Sequence, residues 1–158
     1  MRIGTATLSR VSAFAGVLSI LISGTSLAFT SIQVPLKGRA AGAVVAVEPT
    51  PEGVLLTIHA SGNSTQLGDF HRVERLLLDP DTGTFTGTIV FVAANSDELR
   101  ASVVGAFVSP TTALGDYAFV GGTGRFASAS GGASFEAVSP DGIQLAVGFT
   151  GTVSRVGN

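Results

Sequence analysis

The chain is organised around the stretch Tyr117-Ala-Phe-Val-Gly-Gly-Thr-Gly-Arg-Phe-Ala-Ser-Ala-Ser-Gly-Gly132. Its segment Gly122-Thr-Gly-Arg-Phe-Ala127 fits the G-x-G-x-x-A pattern that opens a dinucleotide-binding fold. That fold needs an amphipathic helix directly after the glycines, whereas Ser-Ala-Ser-Gly-Gly follows here and would break a helix. The stretch therefore predicts a tight turn between two strands, in which the glycines supply positive φ angles or close backbone contact.

The composition excludes several classes of site and partner. The 158 residues suffice for one domain, and the formal net charge of −2 comes without a basic stripe. We therefore expect no nucleic-acid partner, because binding to phosphates needs clustered positive charge. The chain has no cysteine, which excludes disulfides, thiol nucleophiles and thiolate metal sites. No motif for a cofactor or a metal stands out, so we expect neither.

Residues 1–28 have the pattern of a secretory signal peptide. Arg2 and Arg10 form a positively charged n-region, and residues Val11 to Ile22 form an apolar core. Ser26-Leu-Ala28 fits a cleavage site. The apolar core is short for a membrane span. We predict cleavage after Ala28, a secreted or periplasmic location, and no membrane span in the mature chain. An uncleaved N-terminal anchor is the alternative.

Residues 29–158 read as a single all-β domain. Short segments of alternating apolar and polar residues recur about every ten residues, and turn residues such as Asp79-Pro-Asp-Thr-Gly83 separate them. Nothing between them has the pattern of a crossover helix, so neighbouring strands should be antiparallel. We predict an eight-stranded antiparallel barrel, whose interior is wide enough for side chains or one small ligand. A β-sandwich is the alternative.

Three segments of the chain resemble a known family. Phe119-Val-Gly-Gly-Thr-Gly-Arg-Phe126 is similar to the Gly-Gly-Thr-Gly-Arg/Lys-Phe segment of dirigent proteins, and more loosely to a glycine segment of allene oxide cyclases. Thr65-Gln-Leu-Gly68 and Ala94-Asn-Ser-Asp97 resemble segments of bacterial secreted proteins that have such a barrel and mostly no assigned function. The resemblance covers roughly Gln33 to Ser154.

The resemblance implies a calycin-like barrel, related in shape to lipocalins, with a pocket inside and a tendency to form trimers. Its motifs are turn motifs, so they bear on the fold and hardly on the chemistry. The pocket residues of the plant enzymes have no match in this sequence. The resemblance therefore implies neither cyclase nor coupling activity, and the catalytic residues are unknown.

His59 and His71 are the two histidines of the chain. If residues 62–68 form a symmetric hairpin loop, residue 59 pairs with residue 71, and the two imidazoles face each other across neighbouring strands. Such a pair is half of a metal site or an acid–base pair. The alternative is two polar side chains without a function.

The segment from Asp69 to Arg75 carries the one charge cluster of the chain. Alternation places Arg72 and Glu74 on one face of its strand, and His71 and Arg75 on the other. The cluster is either a solvated outer face or the polar lining of a ligand site, because unpaired charge inside a barrel is costly. We name six candidate ligand-binding residues: His59, His71, Arg72, Glu74, Arg75 and Tyr117.

The glycine stretch also supplies the residues that we expect to be structural: Gly121, Gly122, Gly124, Arg125 and Phe126. Arg125 should pair with a nearby acid such as Asp116, and Phe126 should close one end of the barrel. The alternative for Arg125 is an anion site formed with backbone N–H groups of the turn.

Three functional hypotheses follow from these observations. The first is non-catalytic binding of a small apolar molecule, or a structural role. The second is a lyase or isomerase that acts on a hydrophobic substrate inside the barrel, and it requires at least two of the six candidate residues to converge. The third is a self-assembling surface protein with an apolar outer face.

Overall fold

In the computed structural model of the protein, the described residues 31–156 form one closed barrel of eight antiparallel strands. This confirms the predicted barrel and excludes the sandwich. The signal peptide lies outside the described residues and stays a prediction. No helix within residues 31–156 is long and apolar enough to cross a membrane. The strands are β1 Ser31–Thr50, β2 Gly53–Ser64, β3 Gly68–Leu78, β4 Thr84–Ala93, β5 Glu98–Ser109, β6 Thr112–Gly122, β7 Gly131–Val138 and β8 Gln144–Val156.

Strand β1 closes the barrel because it is long enough to pair on both sides. Residues 31–43 pair with β8, and residues 38–50 pair with β2. The sequence pattern indicates separate segments at residues 32–36 and 40–47, but these join in one strand. A register shift between Val44 and Ala46 bends it where it leaves β8.

The barrel interior is filled largely by aromatic rings. Phe70, Phe91, Phe149 and Tyr117 form a cluster whose neighbouring ring centroids are 5.6–6.1 Å apart. Inward glycines make room for such rings. A Cβ atom on Gly115 would lie 2.6 Å from Cζ of Phe135, so only glycine fits beside that ring.

The β2–β3 hairpin differs from its predicted register. The strands continue to Ser64 and Gly68, so the turn is shorter than the predicted loop and is centred on Gln66. Ser61 therefore pairs with His71, and His59 pairs with Val73. The predicted pairing of His59 with His71 is wrong by two residues. A shift of two residues keeps both side chains on the same face, and they are diagonal neighbours instead of directly opposed.

The glycine stretch closes one end of the barrel. A single 3-10 turn, Gly124–Phe126, follows β6, and the Phe126 side chain is completely buried. Gly121 and Gly124 have φ angles of 111° and 53°, in the region of positive φ that favours glycine. Arg125 Nη2 donates a hydrogen bond of 2.8 Å to the Gln66 carbonyl oxygen, which ties this turn to the β2–β3 turn.

The prediction that Arg125 pairs with Asp116 is wrong. The acidic neighbour of Arg125 is Asp97 in the β4–β5 turn, with 3.9 Å between Arg125 Nε and Asp97 Oδ2. Asp97 also accepts a hydrogen bond from the Arg125 backbone N–H. Asp116 instead accepts a hydrogen bond from the Ser134 hydroxyl on β7. Asp116 is an outward residue of β6, so its side chain cannot reach the end of the barrel.

Candidate functional site

The other end of the barrel is open and leads into a cavity of about 280 Å³. Its mouth lies between the β5–β6 turn and the β7–β8 loop, which contribute Pro110, Thr111, Ser139 and Gly142. The walls are inward residues of the strands. They are almost entirely apolar: Val44, Val47, Leu56, Ile58, Leu76, Leu78, Phe85, Phe107, Ala113, Phe135, Ala137, Leu145 and Val147.

The deep end of the cavity carries three convergent polar side chains, Arg72, Glu74 and Tyr117, which we call the floor cluster. Arg72 Nη2 lies 2.7 Å from Glu74 Oε1, and both side chains are at least 94% buried. Arg72 Nη1 donates a hydrogen bond of 3.0 Å to the Tyr117 hydroxyl oxygen. Strands β3 and β6 hold the cluster, because residues 72 and 74 are successive inward positions of β3 and residue 117 points inward from β6.

Aromatic rings surround the floor cluster and restrict its movement. The Tyr117 ring stacks on Phe135 with 4.6 Å between the centroids and 17° between the planes. The Arg72 guanidinium lies 5.7 Å from the centroid of the Phe91 ring, within the range of a cation–π contact. The polar groups are therefore placed by packing as well as by hydrogen bonds, as a pre-formed ligand site requires.

Burial changes the protonation equilibria of the cluster. Removal from water raises the pKa of Glu74 above its ordinary value, and the positive charge of Arg72 opposes this shift only in part. Burial also raises the pKa of Tyr117 well above its ordinary value, although Arg72 works in the other direction. The Tyr117 hydroxyl is therefore protonated at neutral pH, and Glu74 holds its proton to a higher pH than an exposed glutamate does.

The structure brings together three of the six candidate ligand-binding residues and leaves the other three outside. His59, His71 and Arg75 are exposed on the outer face of β2 and β3. The charge cluster of β3 was expected either on a solvated outer face or in the lining of a ligand site. Arg72 and Glu74 face the interior and line the cavity. Within residues 31–156 no group of three or more histidine, aspartate or glutamate side chains is placed to hold a metal ion.

Sequence reasoning missed the apolar residues that form the cavity walls. Leu56, Leu78 and Phe85 all lie at inward positions of strands whose alternation is evident in the sequence. However, residues near the mouth have the same composition as residues deep in the core. Only the three-dimensional packing shows that the inward side chains leave a space that opens at this end of the barrel.

The comparisons with known proteins agree with this architecture. The structure is similar to that of a pterocarpan synthase dirigent protein, with a TM-score of 0.60 and 18% sequence identity. The alignment covers 90% of this chain and 100% of that chain. No protein-family model and no curated protein sequence matches the chain. At 18% identity the structural likeness bears on the fold alone. The chain has the closed eight-stranded barrel fold of dirigent proteins.

Proposed function

We propose that the protein binds a small apolar molecule in the barrel cavity and does not transform it. The observation that carries this proposal is the open, apolar cavity of about 280 Å³ above the floor cluster. Small-molecule sites are typically concave, mostly apolar and furnished with a few polar groups, with volumes of ~300–1,000 Å³. The cavity volume lies just below this range, so the ligand should be compact.

The apolar walls supply the driving force for such binding. Transfer of apolar ligand surface from water is favourable by about 25 cal/mol per Å². The floor cluster contributes the charged groups of the lining, and Arg72 and Glu74 are already paired with each other. A charged ligand would therefore gain little there, whereas an apolar ligand buries its surface against the walls.

The proposal is tested with N-phenyl-1-naphthylamine, a neutral dye that becomes fluorescent in apolar surroundings. Ala137 lines the cavity, so Ala137→Phe should fill it and abolish the fluorescence increase that the wild type gives. Ala118 is an exposed residue of β6, so Ala118→Phe is the matched control and should leave binding unchanged. Equal binding by the wild type and A137F would show that the dye sits elsewhere and would contradict the proposal.

The alternative is an enzyme of the lyase or isomerase type, and convergence of the floor cluster favours it specifically. Glu74 could accept a proton from the carbon beside a ligand carbonyl, while Tyr117 and Arg72 stabilise the charge that develops on the carbonyl oxygen. Deoxybenzoin in D₂O tests this chemistry, because proton abstraction exchanges its methylene hydrogens for deuterium. Exchange that the wild type accelerates and Glu74→Gln does not would favour the enzyme over the binding protein.

Export and assembly complete the proposal. We propose that the mature chain begins after Ala28 and is secreted or periplasmic, on the basis of the signal-peptide pattern of residues 1–28. N-terminal sequencing of the protein from culture medium and periplasm tests this. The trimer that the dirigent resemblance implies also stays a prediction, and sedimentation velocity of the mature chain tests it.

A further inference from the structure

The floor cluster contains buried polar atoms that have no hydrogen-bond partner within residues 31–156. An arginine side chain has five N–H donors, and a tyrosine hydroxyl has one. Within the described residues, Arg72 Nη1 donates to Tyr117, and Nη2 lies beside Glu74. Arg72 Nε and Glu74 Oε1 are both buried and have no hydrogen-bond partner in residues 31–156. Buried polar groups are nearly always satisfied, so the donors of the cluster that lack a partner point to an acceptor that a ligand would bring.

Tyr117 is the donor that such a ligand can reach. Its hydroxyl oxygen accepts the hydrogen bond from Arg72, and its own O–H donates none to the described residues. The side chain lines the cavity. A hydrogen bond received from a cationic guanidinium polarises the hydroxyl and makes its O–H a better donor. The cavity therefore presents the Tyr117 O–H as a strong donor beside the paired Arg72 and Glu74 at its deep end, and apolar walls elsewhere.

The acceptor should be neutral. Arg72 already has Glu74 as its counter-ion at 2.7 Å, so an ionised Glu74 leaves no net charge for a carboxylate to balance. A carboxylate would also have to leave water for an apolar cavity, which is expensive without a free cation. A carbonyl oxygen fits better, because it accepts a hydrogen bond and loses little hydration.

We propose that the ligand class is a compact, neutral, apolar molecule with one carbonyl oxygen, which accepts a hydrogen bond from Tyr117. This inference rests on the proposed binding function and narrows it to one chemical class. It also assigns Tyr117 as the residue that distinguishes a carbonyl compound from a hydrocarbon of the same shape.

Three probe molecules of similar shape test the inference: diphenylmethane has no acceptor, benzophenone adds one carbonyl, and diphenylacetate adds a carboxylate. Isothermal titration or dye displacement would measure the three affinities for the wild type and for Tyr117→Phe. One hydrogen bond should make benzophenone roughly threefold to tenfold tighter than diphenylmethane in the wild type. Y117F should bind both with equal affinity, and diphenylacetate should be the weakest of the three in the wild type.

The infrared spectrum of bound benzophenone is an independent readout that does not need the variant to fold. Hydrogen bonding should move the carbonyl stretch to lower wavenumber than in a hydrocarbon solvent. Equal affinity for diphenylmethane and benzophenone in the wild type, or an unshifted stretch, would overturn the inference and leave apolar binding intact. Tightest binding of diphenylacetate would overturn the neutral ligand class. Failure of both neutral probes to bind would contradict the binding function itself.

Discussion

Arg72 and Glu74 are an uncommon pair for the interior of a small barrel. Both are almost fully buried, and the walls around them are aromatic and aliphatic. The mutual attraction of a buried ion pair is offset by the loss of hydration of both ions, so such a pair contributes little net stability. Loss of one partner is far more damaging, because it leaves the other charge buried and unpaired. We therefore expect the pair to serve the site and not the fold.

Removal of the two charges separately and together tests this view. Arg72→Met should destabilise the protein by about 3–5 kcal/mol, because Glu74 is left without its counter-ion. The double variant Arg72→Met, Glu74→Met should recover most of that loss, since no charge then remains in the barrel. Urea denaturation of the wild type and both variants gives the three unfolding free energies. A double variant at least as unstable as R72M would contradict the expected coupling.

The raised pKa of Glu74 makes stability depend on pH with a definite sign. In the unfolded chain the carboxyl loses its proton near its ordinary pKa of 4.5, whereas the folded protein keeps the proton to higher pH. The contribution to stability is therefore complete below pH 4.5 and declines as the pH rises toward the folded-state pKa, by at most about 1.4 kcal/mol per pH unit. The glutamine in the variant Glu74→Gln cannot titrate, so the stability of that variant should not decline with pH for this reason.

Denaturation of the wild type and E74Q between pH 4 and pH 7 measures this contribution. The unfolding free energy of the wild type should fall relative to that of E74Q as the pH increases above 4.5. If the difference in unfolding free energy between the wild type and E74Q stays constant, or if the wild type gains stability relative to E74Q as the pH increases, the pKa of Glu74 is not raised.

At the scale of the element, glycines opposite aromatic rings allow the barrel to close. A Cβ atom on Gly115 would meet both the Val104 carbonyl oxygen and the Phe135 ring. Gly115→Ala should therefore cost about 1–3 kcal/mol, the usual cost of overpacking a core. Gly148 is exposed on β8, and a Cβ atom added there would have no neighbour within 4 Å, so Gly148→Ala is the matched control. It should change stability by less than about 0.5 kcal/mol.

Thermal and urea unfolding of the two alanine variants would measure these effects under identical conditions. If Gly115→Ala and Gly148→Ala lower the free energy of unfolding equally, alanine affects the strands through the backbone alone. In that case the close approach of Gly115 to Phe135 would not explain why the barrel needs glycine at this position.

The β2–β3 hairpin shows what strand patterns in the sequence can and cannot predict. Alternation correctly placed Arg72 and Glu74 on one face and His71 on the other, because side chains alternate strictly along a strand. The register was wrong by two residues, since polar residues such as Asn63 and Ser64 read as loop although they continue β2. Hydrogen bonds of the turn, including Ser64 Oγ with the Leu67 backbone N–H, decide that register. Those bonds leave no trace in hydrophobic periodicity.

At the scale of the whole molecule, the number of strands and their antiparallel order could be predicted from the even spacing of turns. The sequence did not show which face of β3 points into the barrel, because both faces carry large apolar residues. Phe70 and Leu76 lie on one face, and Val73 and Leu77 lie on the other. Closure of the barrel decides between the faces, and it depends on all eight strands together. The floor cluster depends on this closure, because Tyr117 and Arg72 form a hydrogen bond although they are 45 residues apart in the sequence.

The central claim is that a small neutral molecule binds inside the barrel, above the floor cluster. The most direct measurement is a methyl-resolved NMR titration of the mature protein with benzophenone. We predict that the methyl resonances of Leu56, Leu78 and Val147, which line the cavity, shift with increasing ligand. Those of Val104 and Leu114, which are exposed on the outer face, should stay in place. Shifts confined to the outer residues, or no shifts at all, would contradict the claim.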